Sequence, residues 1–226
     1  MLSPLFLSLR VATVALVFAL PFGIFCAYRL SRSRPGFWRT LIETLLTLPL
    51  VLPPSAVGVG LLLLFGRGSA WGRWLNDTLH LQILFTWQGA AVASAVVALP
   101  LIIRTVEAGL SSTDRDLTDS ARTEGATEWQ TFHRILFPLA YRSIFAGTVL
   151  GFARAFSEFG ATLLIAGSIP SETETLPLAL YAAIERGDDT EAGKLALLAV
   201  AVSFVLLLIA NQFAGRIATA RGDAKP

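Results

Sequence analysis

The chain has 226 residues, of which 54% are hydrophobic and only 15% charged, and its mean hydropathy is +0.64. Soluble domains average about 25% charge, so this chain must use lipid as part of its solvent, and disordered, collagenous and disulfide-stapled classes are excluded. A formal net charge of +2, scattered among apolar runs, makes no basic stripe and sets nucleic acid aside as a partner.

A bilayer core about 30 Å thick needs roughly 20 apolar residues as helix. Five runs reach that length: Leu5 to Tyr28, Leu41 to Phe65, Leu84 to Ile103, Ile144 to Ala166 and Leu195 to Ala214. The expectation is an all-α integral membrane protein, one domain over residues 1–226, with about five transmembrane helices and its termini on opposite sides. Met1 to Leu9 carries no charge and the apolar run continues past Leu20, unlike a cleavable signal peptide, so the first span is expected to stay in the mature protein. Cys26, the single cysteine, has no partner for an internal disulfide and reads as packing.

Basic residues beside the spans choose the orientation. The first loop, the third loop and the tail together hold Arg29, Arg32, Arg34, Arg39, Arg104, Arg115, Arg122, Arg134, Arg142, Arg216, Arg221 and Lys225; the second and fourth loops hold only Arg67, Arg73, Arg186 and Lys194. This bias predicts an outside amino terminus and a cytoplasmic carboxyl terminus. Trp38, Trp71, Trp74 and Trp87 fall at or beside span ends, where an amphipathic ring suits headgroup depth.

In the second span, Pro49, Pro53 and Pro54 lack amide protons and break the helical ladder. Carbonyls left unpaired at membrane depth are tolerated only where protein buries them or a wet cavity reaches them, so these prolines mark either a packed kink or one that lines a path.

The third loop, residues 111–140 and on to Arg142, is too long for a simple turn and rich in both charge signs, which points to an ordered element with a partner. Asp114 to Glu124 reads as a short helix that Gly125 ends, because glycine adopts the left-handed conformation a helix terminus often needs. A second helix is expected from Ala126 towards Pro138, with Trp129, Phe132 and Leu136 spaced to line one apolar face. The result is a helix-turn-helix that either rests on the headgroups or docks into a groove of a cytoplasmic partner.

The run Asp119-Ser120-Ala121-Arg122-Thr123-Glu124-Gly125-Ala126, followed by Ile135-Leu136-Phe137-Pro138, resembles the "EAA" loop of binding-protein-dependent ABC importer permeases. Asp119 stands for the usual Glu, Ser120 for an Ala, and Glu124 where a hydrophobic residue is common. The runs Leu20 to Phe25, Leu48 to Pro54, Phe152 to Thr162 and Ile169 to Thr173 are similar to the molybdate and sulfate branch of that family, molybdate above all, and the resemblance covers nearly the whole chain. It implies a type I importer permease fold in the cytoplasmic (inner) membrane. It also implies a coupling helix carrying Asp119, Ser120, Ala121, Glu124, Gly125, Ile135 and Pro138 that docks on an ABC ATPase subunit, a homodimer with the path along its axis, and an extracytoplasmic oxyanion-binding protein.

Arg154 and Glu158 stand four residues apart in the fourth span, and neither is stable alone in hydrocarbon. They form either a structural ion pair or the flank of a translocation path on which Arg154 favours the oxyanion. The candidate path residues are Pro49, Pro53, Pro54, Arg154, Glu158 and Gly160. Gly147, Gly151 and Ala155 make a small-residue stripe that admits a close helix neighbour. The fourth loop is acidic, with Glu172, Glu174, Glu185, Asp188, Asp189 and Glu191, and would repel a free oxyanion; Leu176 to Ile184 within it is apolar but too short to span, and reads as an interfacial helix of an outer gate or as part of a solvated loop.

No GxxxxGK[ST] phosphate loop occurs, so ATP and Mg are expected on the partner subunit and no cofactor on this chain. His80 and His133 are far apart in sequence, and neither an HExxH nor a GxSxG run is present, which leaves a metal site, a metalloprotease or a serine hydrolase without support. The expected function is the permease subunit of a molybdate or tungstate importer, itself not an enzyme. A sulfate permease, a self-sufficient channel or secondary transporter, and a membrane scaffold are the alternatives.

Overall fold

The computed structural model describes residues 2–222, and every regular element among them is a helix. Lys225 and the side chains of Arg115, Arg216 and Arg221, which entered the charge count, lie outside the described residues. In chain order the helices are α1 (Leu2–Arg32), α2 (Phe37–Val51), α3 (Pro54–Phe65), α4 (Ala70–Leu79), α5 (Trp87–Ser111), α6 (Arg115–Thr123), α7 (Glu128–Thr131), α8 (Phe137–Phe156), α9 (Gly160–Ala166), α10 (Leu176–Glu185) and α11 (Asp189–Gly222), with a π-helical turn at Phe132–Leu136 joining α7 to α8. Four helical rods, Ser3–Arg32, Trp87–Ser111, Glu128–Phe156 and Asp189–Gln212, are long and apolar enough to cross a membrane, and α2 with α3 makes a fifth if the bent pair counts as one span.

Three expected spans are broken or displaced. The run Leu41 to Phe65 is not one helix: α2 and α3 meet at an angle of 111°. A residue before proline is pushed out of the helical region, and here Leu52 (φ −66°, ψ 142°) and Pro53 (φ −54°, ψ 134°) are both extended, while Pro54 restarts the chain at the first position of α3, where a missing N–H costs nothing. The run Ile144 to Ala166 also divides. Its helix begins far earlier, at Glu128, and ends at Phe156; α9 then restarts at Gly160. The third expected span begins at Trp87 and runs on to Ser111 rather than ending at Ile103.

α5 is the centre of the bundle, packed along α1 on one side and α8 on the other. Its Ile102, Ile103 and Val106 are fully buried with Ala27 of α1 and Ala140 of α8. Two glycines set the spacing. A Cβ on Gly151 would stand 2.5 Å from Ile102 Cγ1, and one on Gly109 would overlap Ser143 Cβ, so the small-residue stripe of α8 serves contact with α5 within the chain, as close membrane-helix packing requires. α2 buries no residue, and α11 keeps Leu197, Val200, Phe204 and Leu207 on its outer face.

The apolar stretch Leu176 to Ile184 is helix α10. It packs Leu176, Leu178, Ala179 and Ala183 into the core beside α1 and α11, which is more than an interfacial contact. Ser8 Oγ, buried on α1, accepts the Leu176 N–H at 2.7 Å and satisfies a donor that the start of a helix would otherwise leave unpaired.

Candidate functional site

The two chain breaks face each other. Pro54 and Ser55 at the start of α3, Arg154 at the end of α8, and Ser157 to Gly160 between α8 and α9 line one open cavity of about 320 Å3. The backbones come close because Gly160 and Gly58 lack side chains. A Cβ at Gly160 would lie 3.1 Å from Pro54 Cβ, and one at Gly58 would lie 2.9 Å from Ala161 Cα.

Glu158 holds this arrangement. It is not on a helix face as the spacing from Arg154 suggested; it sits in the break, with its side chain 1% exposed. One carboxylate oxygen accepts the Ala161 N–H at 2.8 Å, and the other pairs with the Arg154 guanidinium at 2.8 Å. The first bond satisfies one of the orphan donors of α9, and the second balances a buried charge that would otherwise be strongly destabilising. Arg154, with 27% of its side chain exposed, lines the same cavity. Among the expected path residues, Pro54, Arg154, Glu158 and Gly160 therefore share one cavity, with Pro53 next in the chain. Pro49 does not line it; it lies in the last turn of α2.

The hairpin of the third loop forms at the other end of α8. The Asp114 side chain accepts the Asp116 N–H at 3.0 Å and starts α6. α6 ends in a Schellman turn, in which the Ala126 N–H bonds the Ala121 carbonyl and the Gly125 N–H bonds the Arg122 carbonyl, with Gly125 at φ +88°, the left-handed geometry glycine permits. Thr127, not Ala126, opens the second helix through a capping box with Gln130. Asp119, Ser120, Glu124, Gly125 and Pro138 are exposed, and Ala121 and Ile135 are half-buried.

The expected apolar face of the second helix splits. Leu136 is buried and Phe132 packs beside it, but Trp129 is 70% exposed and lies tilted against His133, ring centroids 3.7 Å apart. The second arm is also no separate hairpin helix; through the π turn it is the first part of the rod that ends at Phe156.

Polar contacts that the sequence reading missed tie the hairpin to α1. Arg32 donates to the buried Thr118 Oγ1 at 2.9 Å, the Tyr28 hydroxyl donates to the Glu128 carboxylate, and Arg122 pairs with Glu128 at 2.7 Å and with Asp119 at 3.4 Å. A second network joins α2 to α5: Arg39 pairs with the buried Glu107 at 3.3 Å, and Arg104 pairs with Glu43 and lies 3.8 Å from Glu107. Near the opposite end of α5, Arg10 of α1 lies over the Trp87 ring at 3.8 Å, which satisfies a charge inside a span. The described residues contain no cluster of metal-ligating side chains.

Over residues 19–221 the chain matches the family model described as binding-protein-dependent transport system inner membrane component. It is 42% identical over 210 residues to the molybdenum transport system permease protein ModB of Escherichia coli (strain K12), covering 92% of this chain and 91% of that one. It is 35% identical over 210 residues to the sulfate transport system permease protein CysT of the same organism, covering 92% of this chain and 75% of that one. Its fold matches a chain of a bacterial ABC transporter involved in the import of the acidic polysaccharide alginate, with a TM-score of 0.74 at 18% identity over 96% of this chain and 79% of that one. On the span of the family match and the ModB likeness, the chain belongs to the inner membrane components of binding-protein-dependent transport systems.

Proposed function

We propose that the chain is the permease subunit of an ATP-driven importer that moves molybdate, and tungstate with it, across the cytoplasmic membrane by alternating access. The observation that carries this reading is the continuity between hairpin and cavity. The rod from Glu128 to Phe156 has 29 residues, about 43 Å at 1.5 Å per residue, and it joins the exposed turn at Gly125 to Arg154 at the cavity. A displacement of the hairpin is thereby delivered to the break between α8 and α9 and, across the close contact at Gly160, to the break between α2 and α3.

The chain has no phosphate loop of its own, so a cytoplasmic ABC ATPase binds ATP and Mg and moves the hairpin. Two copies of the permease enclose the path, because four or five spans in one chain are too few to surround it. The basic bias of the loops supports a cytoplasmic hairpin, an outside amino terminus and a cytoplasmic carboxyl terminus. An extracytoplasmic binding protein delivers the oxyanion past the acidic loop before α11. Arg154 then offers the ion a positive field that Glu158 only partly cancels. Molybdate is favoured over sulfate because the likeness to ModB is higher than that to CysT and spans more of the relative.

The test is ATP hydrolysis by the chain reconstituted in lipid with its ATPase and binding protein. Stimulation that needs loaded binding protein and prefers molybdate or tungstate supports the reading. A preference for sulfate would change the substrate, and failure to assemble with any ATPase would remove the role assigned to the hairpin.

A further inference from the structure

The turn over residues 33–36 brings the end of α1 beside the start of α2, and a cleft of about 550 Å3 opens between them. Its lining changes character along both helices. Arg29, Arg34 and Arg39 lie near the ends that meet at the turn, whereas Phe25 of α1 and Ile42 and Leu46 of α2 lie further from it.

The arginines carry more positive charge than the protein balances. Arg39 is balanced by Glu107 at 3.3 Å. Arg29 and Arg34 are exposed and make no ion pair among the described residues. Trp38, also in the lining, is largely exposed, as suits a ring at headgroup depth. A soluble oxyanion would match the arginines but leave the apolar half uncovered. A molecule with a phosphate anion at one end and hydrocarbon at the other matches both, and basic pockets between membrane helices recognise lipid headgroups in this way.

We infer that the cleft between α1 and α2 binds an anionic phospholipid, its phosphate held by Arg29 and Arg34 and the upper part of a chain lying on Phe25, Ile42 and Leu46. The leaflet follows from the orientation proposed above and is cytoplasmic; the binding itself does not depend on that orientation or on the transported ion. The occupant props the start of α2, the helix that leads to the break at Pro53.

Native mass spectrometry of the assembled transporter purified from membranes tests this, with titration of phosphatidylglycerol and phosphatidylcholine of identical chains. The wild type is expected to prefer phosphatidylglycerol roughly tenfold. Arg29→Gln with Arg34→Gln should reduce that preference to near unity. Arg67→Gln with Arg73→Gln removes the same charge elsewhere and should keep it. Ile42→Trp, which fills the apolar half without touching a charge, should weaken phosphatidylglycerol binding several-fold and carries the test if the double arginine variant aggregates. Four results would overturn the inference: no lipid preference in the wild type; equal loss in the Arg67 and Arg73 control; complete displacement by millimolar inorganic phosphate, which would make this a soluble-anion site; or binding to the separated permease but not to the assembled transporter, which would mean a second protein covers the cleft.

Discussion

The Tyr28 hydroxyl donates a hydrogen bond to the Glu128 carboxylate, joining residues 100 positions apart at the point where the hairpin meets α1. The Tyr28 ring also meets Phe132 edge-on, with centroids 5.3 Å apart, so Tyr28→Phe removes the bond and keeps the packing. Glu128 retains Arg122 at 2.7 Å, and a partly exposed bond of this kind contributes only about 1 kcal/mol. Folding should therefore be nearly unchanged, while the link from hairpin to α1 loosens. The expected outcome is several-fold less molybdate moved per ATP hydrolysed at unchanged basal hydrolysis. An unchanged ratio would show that this bond transmits nothing.

Arg154 and Glu158 should respond differently to neutral substitution. Arg154→Gln leaves a buried carboxylate with only the Ala161 N–H as partner, and removing one member of a buried ion pair costs about 3 kcal/mol or more. Glu158→Gln keeps an oxygen that can accept the Ala161 N–H, so α9 stays capped, and Arg154 becomes a freer cation beside the cavity. Thermal unfolding in detergent should thus be lowered more by Arg154→Gln, whereas transport should suffer in both. Normal flux in both variants with assembly intact would leave the pair a purely structural role.

The hairpin was legible because its signals are local: a charged helical run from Asp114 to Glu124 and a glycine at the turn; the Thr127 and Gln130 capping box is as local, yet the second helix was expected from Ala126. The prolines of the second span likewise announced a break, though not its angle. The displaced fourth span was not legible. A hydropathy window averages Glu158 with its apolar neighbours, so it cannot register that the carboxylate turns back to cap Ala161 and ends the rod at Phe156. The ties of Tyr28 to Glu128 and of Arg39 to Glu107 also left no trace, because each joins helices whose proximity depends on the packing of α5 against its neighbours.

Gly125 provides a test that isolates backbone from contact. A Cβ there would meet nothing within 4 Å, so the cost of substitution is the left-handed φ alone, about 1–2 kcal/mol for an ordinary residue and more for a β-branched one. Gly125→Val should uncouple hydrolysis from transport while leaving the membrane helices folded. Gly125→Asn, whose side chain tolerates this region, should recover most of the coupling. Equal loss in both would assign the effect to side-chain bulk at the docking surface instead.

Glu107 is the hub between α2 and α5. Its carboxylate faces Arg39 at 3.3 Å and Arg104 at 3.8 Å, and Arg104 in turn pairs with Glu43. α2 buries no residue fully, and its apolar contact with the core is through the half-buried Leu46, so these ion pairs are a main part of what fixes it to the bundle. Glu107→Gln leaves two guanidinium groups close together with only Glu43 between them, which should free α2 from α5. Hydrogen exchange over residues 37–51 is expected to rise at least tenfold, with little change over 87–111, where the helix remains held by α1 and α8. Because Glu107 is buried, the contrast should persist at 0.5 M salt, where ionic screening acts over about 4 Å in solution. Uniform exchange across both segments would mean that α2 is held by its other surroundings, and that the charge cluster does not restrain the helix leading to Pro53.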